Sequence, residues 1–173
     1  LDATTPPQGL QQAGRAWVVT AEGMLATPLL DLRSRLVQLG VYDERGLLGL
    51  AAHPDFANHP FVYTFSSEPY SSPADFQNGL GISNNCQSVI AEWRMSAANT
   101  NIVDPASRRE ILRIDKPQFN HNGGAMHFGP DGRLYIVLGD GGQANDVGDG
   151  HVIGGNAQDI NRIWGKLIRI DVD

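Results

Sequence analysis

Cysteine is nearly missing from this chain. Cys86 stands alone among 173 residues, so no internal disulfide can staple the fold. Its Asn- and Ser-rich surroundings predict an inert thiol in a polar loop. Charge is also scarce: Asp, Glu, Lys and Arg make 18% of the chain, below the usual ~25%. Basic residues are outnumbered, 13 Lys+Arg against 19 Asp+Glu. A net charge of −6 leaves no basic patch to dominate the surface, which argues against a nucleic-acid partner. No apolar run approaches the ~18 residues of a membrane span. The opening Leu1-Asp-Ala-Thr-Thr-Pro-Pro has neither the basic nor the apolar region of a signal peptide, as would also hold for a mature chain whose signal had been removed.

Turn formers are abundant instead, with 20 Gly and 10 Pro beside 41% hydrophobic residues. They punctuate a repeat. Residues 47–65 read as an apolar run, Pro-Asp, then alternating aromatic and small residues, and residues 124–138 have the same order. A fainter copy lies at 7–20. Each predicts a β-hairpin whose second strand carries Trp17, Tyr63 or Tyr135. Gly129-Pro-Asp-Gly132 is turn chemistry, with proline presetting φ and Asp and Gly tolerating the bend. Ile111-Leu-Arg-Ile-Asp115 and Leu167-Ile-Arg-Ile-Asp171 are near copies that predict edge strands with arginine facing out. With an alternating strand at Val89–Met95, the unit becomes four antiparallel strands at 47–53, 61–66, 88–95 and 110–115. Such units repeated every 40–60 residues predict an all-β propeller. Three hairpin starts give about three blades, fewer than a closed ring needs, so the chain is expected to be part of a ring. Two stacked antiparallel sheets would need no closure but leave the repeats unexplained.

Two long irregular stretches, 66–87 and 139–161, are candidates for function-bearing loops. Asn120-His-Asn-Gly-Gly124 precedes a predicted strand and Gly139-Asp-Gly-Gly142 ends the next, so His121 and Asp140 fall at one end of a hairpin. A carboxylate that fixes an imidazole makes it a general base. On spacing alone, a loop His and a turn Asp that never meet is an equal reading. Glu44 holds the position in the second hairpin that His121 holds in the third, which aims both at one channel; a solvated loop carboxylate is the plainer alternative. His53 and His59 are expected to pack in their turn, and His127 in the core. Asp140, Asn145, Asp146 and Asp149 offer oxygen ligands for calcium. Their spacing is not that of an EF-hand, which favours a plain acidic Gly-rich loop.

Taken together, Glu44–Phe56, Asn120–Gly124, Phe128–Gly132, Leu138–Gly142 and Gly165–Asp173 resemble the glucose/sorbosone dehydrogenase family, the soluble quinoprotein aldose dehydrogenases. The resemblance implies a six-bladed β-propeller of four-stranded antiparallel blades, of which residues 1–173 form a single partial domain of about three. It implies pyrroloquinoline quinone and calcium as cofactors, and oxidation of an aldose or related sugar alcohol group to a lactone or acid. An external electron acceptor, a periplasmic or extracellular location and the remaining half of the propeller follow from it as well. By the same resemblance, His121 is the catalytic base beside the quinone and Asp140 the carboxylate that orients it, 19 residues on. Asp140 and Asn145 would line the sugar pocket. Glu44 would contact the cofactor where the soluble glucose dehydrogenases carry Gln. The family also includes noncatalytic propellers of the hedgehog-interacting kind, which bind a protein or glycan partner.

Overall fold

The computed structural model describes residues 14–40 and 43–173. Among the described residues the structure is all-β apart from one 3₁₀ turn at Pro105–Ser107, and the sheets are antiparallel. Four short strands, β1 (Arg15–Ala16), β2 (Val19–Thr20), β3 (Gly23–Met24) and β4 (Leu30–Asp31), form the pairs β1–β4 and β2–β3. A complete four-stranded sheet follows: β5 (Leu47–Ala52), β6 (Phe61–Glu68), β7 (Cys86–Arg94) and β8 (Arg109–Lys116), paired in sequence order. The last sheet has β9 (Gly123–Phe128), β10 (Leu134–Leu138) and β11 (Leu167–Ile170), with β10 in the middle. The four strands expected from the repeat thus form one sheet.

Turn chemistry sets the hairpins. After β5, the His53 amide donates to Phe61 O at 3.0 Å and closes the Pro-Asp turn, with the His53 and His59 rings stacked 4.9 Å apart. In the next hairpin the Gly132 amide donates to Gly129 O at 3.0 Å. The first copy behaves differently. Residues 7–13 lie outside the described residues, and Trp17 sits between β1 and β2 rather than on a second hairpin strand.

Period-2 alternation gives β6 two apolar faces, because it is covered on both sides. Tyr63 and Phe65 join Ile90, Ile114, Leu134 and Ile136 in the core shared with the last sheet. Val62, Ala91 and Trp93 pack with Leu30 and Leu32 on the other face. Each fully buried side chain of this kind stabilises the stack by about 1.5–3 kcal/mol. The two sheets meet most closely at their first strands. A Cβ on Gly49 would lie 2.0 Å from the Gly124 carbonyl oxygen, so only glycine permits β5 to touch β9 there. Gly49→Val should cost about 1–3 kcal/mol or more by overpacking. A denaturant midpoint unchanged from wild type would contradict this contact.

Three expectations are corrected. Cys86 is no loop residue: it is wholly buried as the first residue of β7, paired with Lys116. Burial pushes its thiol up to about 11. The native protein should therefore resist a thiol reagent such as Ellman's reagent at pH 8 and react once unfolded; prompt labelling of the folded chain would refute this. Arg113 does not face out. The segment at 75–76 runs along β8, Phe76 bridging parallel to Ile114, and the Arg113 guanidinium bonds Gln87 Oε1 at 2.7 Å and Glu110 Oε2 at 2.6 Å. Arg169, by contrast, is exposed as expected. The two near copies also differ in place, since 109–116 is a fourth strand and 167–170 a third. Finally, His127 is exposed on β9, not buried in the core.

Candidate functional site

Leu138 pairs with Gly123 at the end of the β9–β10 ladder, so the residues just beyond that rung emerge side by side. Gly139 passes so near the preceding loop that a Cβ there would lie 1.9 Å from His121 O. This crossing brings the two expected residues together. His121 Nδ1 lies 2.9 Å from Asp140 Oδ1. The imidazole is 39% exposed and the carboxylate 21%. The same Asp140 oxygen accepts from the Gly142 amide at 3.2 Å. With Asp140 accepting from Nδ1–H, the lone pair sits on Nε2, which has no hydrogen-bond partner among the described residues.

His121 adopts φ +53°, a left-handed conformation uncommon outside glycine and a mark of overdetermined local structure. Glu44 helps impose it: its Oε2 accepts from the His121 amide at 2.7 Å, and its carbonyl accepts from Asn122 Nδ2 at 2.9 Å. Glu44 and His121 are therefore neighbours, with Glu44 holding backbone. Asn145 is exposed in left-handed backbone, φ +64°, and makes no hydrogen bond to either among the described residues.

Lys116 and Asn156 were not singled out from the sequence. Lys116 is 2% exposed, and its ammonium bonds the carbonyls of Gln118 at 3.0 Å, Gly141 at 2.7 Å and Asn120. Burial lowers it to about 8, so it stays largely protonated at neutral pH with three N–H groups for three acceptors. Asn156, fully buried, ties Asp140 O and Gly150 O at 2.8 Å each. One central cation thus joins the loops at 117–122 and 139–157, and one central amide ties the second loop to itself. A lone Lys after a strand and an Asn in a Gly-rich stretch carry no spacing signal that would have marked them. Beside this assembly opens a cleft of about 370 Å³ lined in part by Pro117, Gln118, Phe119 and Gln143.

The antiparallel sheets thus present an imidazole braced by a carboxylate at one hairpin end. Residues 10–173 match the family described as Glucose / Sorbosone dehydrogenase, and the chain belongs to that family. It is 34% identical over 170 residues to the Hedgehog-interacting protein of Mus musculus, a match covering 95% of this chain and 22% of the relative. It is 27% identical over 144 residues to quinoprotein glucose dehydrogenase B of Acinetobacter calcoaceticus, covering 75% of this chain and 27% of that protein. In three dimensions it is similar to the PQQ-bound aldose sugar dehydrogenase of Streptomyces coelicolor, with a TM-score of 0.62 at 23% identity over 92% of this chain and 39% of that one. The chain thus spans about a quarter of those two curated relatives and two fifths of that structure. Among the described residues no helix is long and apolar enough to cross a membrane.

Proposed function

We propose that this chain is the base-bearing part of a six-bladed propeller that oxidises an aldose or related sugar alcohol group, working outside the cytoplasm in the periplasm or extracellular space. The observation that carries the reading is the 2.9 Å His121–Asp140 pair with Nε2 left open. Nε2 would take the proton of the sugar's anomeric hydroxyl, and Asp140 would stabilise the imidazolium that results. Bound pyrroloquinoline quinone would supply the hydride-accepting chemistry, passed on to an external acceptor, and calcium would polarise it. His121 is the residue here suited to lie against the quinone. Two cations of the chain are committed elsewhere, Lys116 to three carbonyls and Arg45 to Asp43 at 2.5 Å. Contacts to the quinone's carboxylates would then fall to the rest of the ring, with Glu44 bracing His121 rather than meeting the cofactor. Gln118 and Gln143, which line the adjoining cleft, would present amides to sugar hydroxyls. Asp140 and Asn145 are not part of that lining and would have to meet the sugar from the loop after β10.

The test is dye reduction by the intact natural protein with quinone, calcium and a panel of aldoses. Quinone-dependent turnover on any sugar supports the reading, and failure to bind quinone removes it.

A second reading has its own observation. Val147, Ile153 and Ile160 stand exposed on the loop between β10 and β11, an apolar display that solvent does not favour. Together with the likeness to the Hedgehog-interacting protein, it supports a noncatalytic propeller that grips a protein or glycan partner at this end. A pull-down in which charged replacements at these three positions abolish capture, without loss of any dye reduction, would favour it.

A further inference from the structure

The loop after β10 contains a group that the sugar-oxidising reading does not use. His151 has a side chain that is 0% exposed, yet neither ring nitrogen has a hydrogen-bond partner. Burying an imidazole with both polar atoms unsatisfied costs free energy unless something else engages them. Its Nε2 stands 3.5 Å from Asp146 Oδ1, beyond hydrogen-bond range. Asp140 completes the cluster: one ligand atom each from Asp140, Asp146 and His151 lie within 4.8 Å of one another.

We propose that Asp140, Asp146 and His151 bind a divalent transition-metal ion of the zinc type. The orphaned imidazole nitrogen and two carboxylates are the donor set that such an ion takes, at bonds of about 2.0–2.2 Å. Tetrahedral bonds of that length put ligand atoms about 3.3–3.6 Å apart, so the loop has to draw in by roughly an ångström. Imidazole distinguishes this ion from calcium and magnesium, which take oxygen. Three protein ligands leave a position open for water or for a group brought by a partner.

The carboxylates are already braced for the task. Asp146 accepts from the amides of Asn156 at 2.8 Å and Ala157 at 2.9 Å, which fixes its orientation. Asp140 gives Oδ1 to His121 and retains Oδ2 for the ion. The ion and His121 then share one carboxylate, the arrangement by which bridging carboxylates fix both a ring and a metal. Filling the site would pin the 140–151 loop against the His121 loop. The proposal does not depend on whether the chain oxidises sugars.

The test is zinc titration of the intact natural protein by calorimetry, with calcium as a competitor, beside His151→Asn, Asp146→Asn and Asp149→Asn. Asp149 is acidic and in the same loop but outside the cluster. We expect one tight zinc equivalent that excess calcium does not displace. His151→Asn and Asp146→Asn should weaken it by more than the about 10–100-fold typical of losing a group that merely braces a ligand. Asp149→Asn should leave it within about 2-fold. No uptake, equal uptake by His151→Asn, or equal weakening by Asp149→Asn would each overturn the proposal. Cobalt loading of the wild-type protein gives a readout that needs no variant: the His151 imidazole resonance should show a paramagnetic shift, and an unshifted resonance refutes coordination.

Discussion

His121→Ala should cut quinone-dependent sugar oxidation by about 10²–10⁴-fold, the usual contribution of a positioned base. Asp140→Asn should act in the same direction. The carboxamide can still reach Nδ1, but it presents an N–H or a neutral oxygen where the ring now meets a charged acceptor. The preferred tautomer and the support for the imidazolium are both lost. Quinone affinity measured separately should change much less than turnover, because the lost interaction belongs to proton transfer. Stopped-flow reduction with saturating aldose reads the two apart. Should His121→Ala keep more than about a tenth of the wild-type rate, the base lies elsewhere on the ring.

Lys116→Met should produce the largest loss of stability. It keeps the apolar stem but strips donors from the carbonyls of Gln118, Asn120 and Gly141 at once. Hydrogen bonds to a charged group are each worth about 1.5–3 kcal/mol, and a buried carbonyl left without a donor adds its own penalty. Burying the ammonium offsets part of this, so a net loss of about 3 kcal/mol or more is expected in guanidinium unfolding followed by circular dichroism. Turnover should fall too, because the same nitrogen joins the backbone just before His121 to the backbone just after Asp140. A change under about 1 kcal/mol would mean that water replaces the amine and that the loops hold themselves.

Most of the complete sheet was readable because its signals are local. Alternation over 61–66 and the Pro-Asp turn after His53 each act within a few residues. The meeting of His121 with Asp140 was half-readable, since equal hairpin ends bring the two close but do not say whether the side chains touch. What escaped the sequence is tertiary. The pattern at 111–115 places Arg113 outward, and only the return of 75–76 along β8 buries it against Glu110 and Gln87. Cys86 looks like loop because its neighbours are polar, yet its pairing with Lys116 extends β7 to include it. His127 follows the alternation correctly but onto an uncovered face of β9. His151 had no signal, being drawn to Asp146 by a Gly-rich loop with no periodicity to read.

The glycine contact between β5 and β9 bears on how such a chain can change over generations. Where Gly49 meets Gly124 the backbones leave no room for a side chain, and His121 lies only three residues before Gly124. Variation there is barred by volume alone, whatever reaction or partner is being selected. The segment between β10 and β11 is bound by no such limit along its exposed stretch. Inheritance of new specificities should therefore be concentrated in that segment, while the position of the imidazole is passed on nearly unaltered. One scaffold is in this way shared by relatives named as a Hedgehog-interacting protein and as a glucose dehydrogenase, with the framework held by two missing side chains.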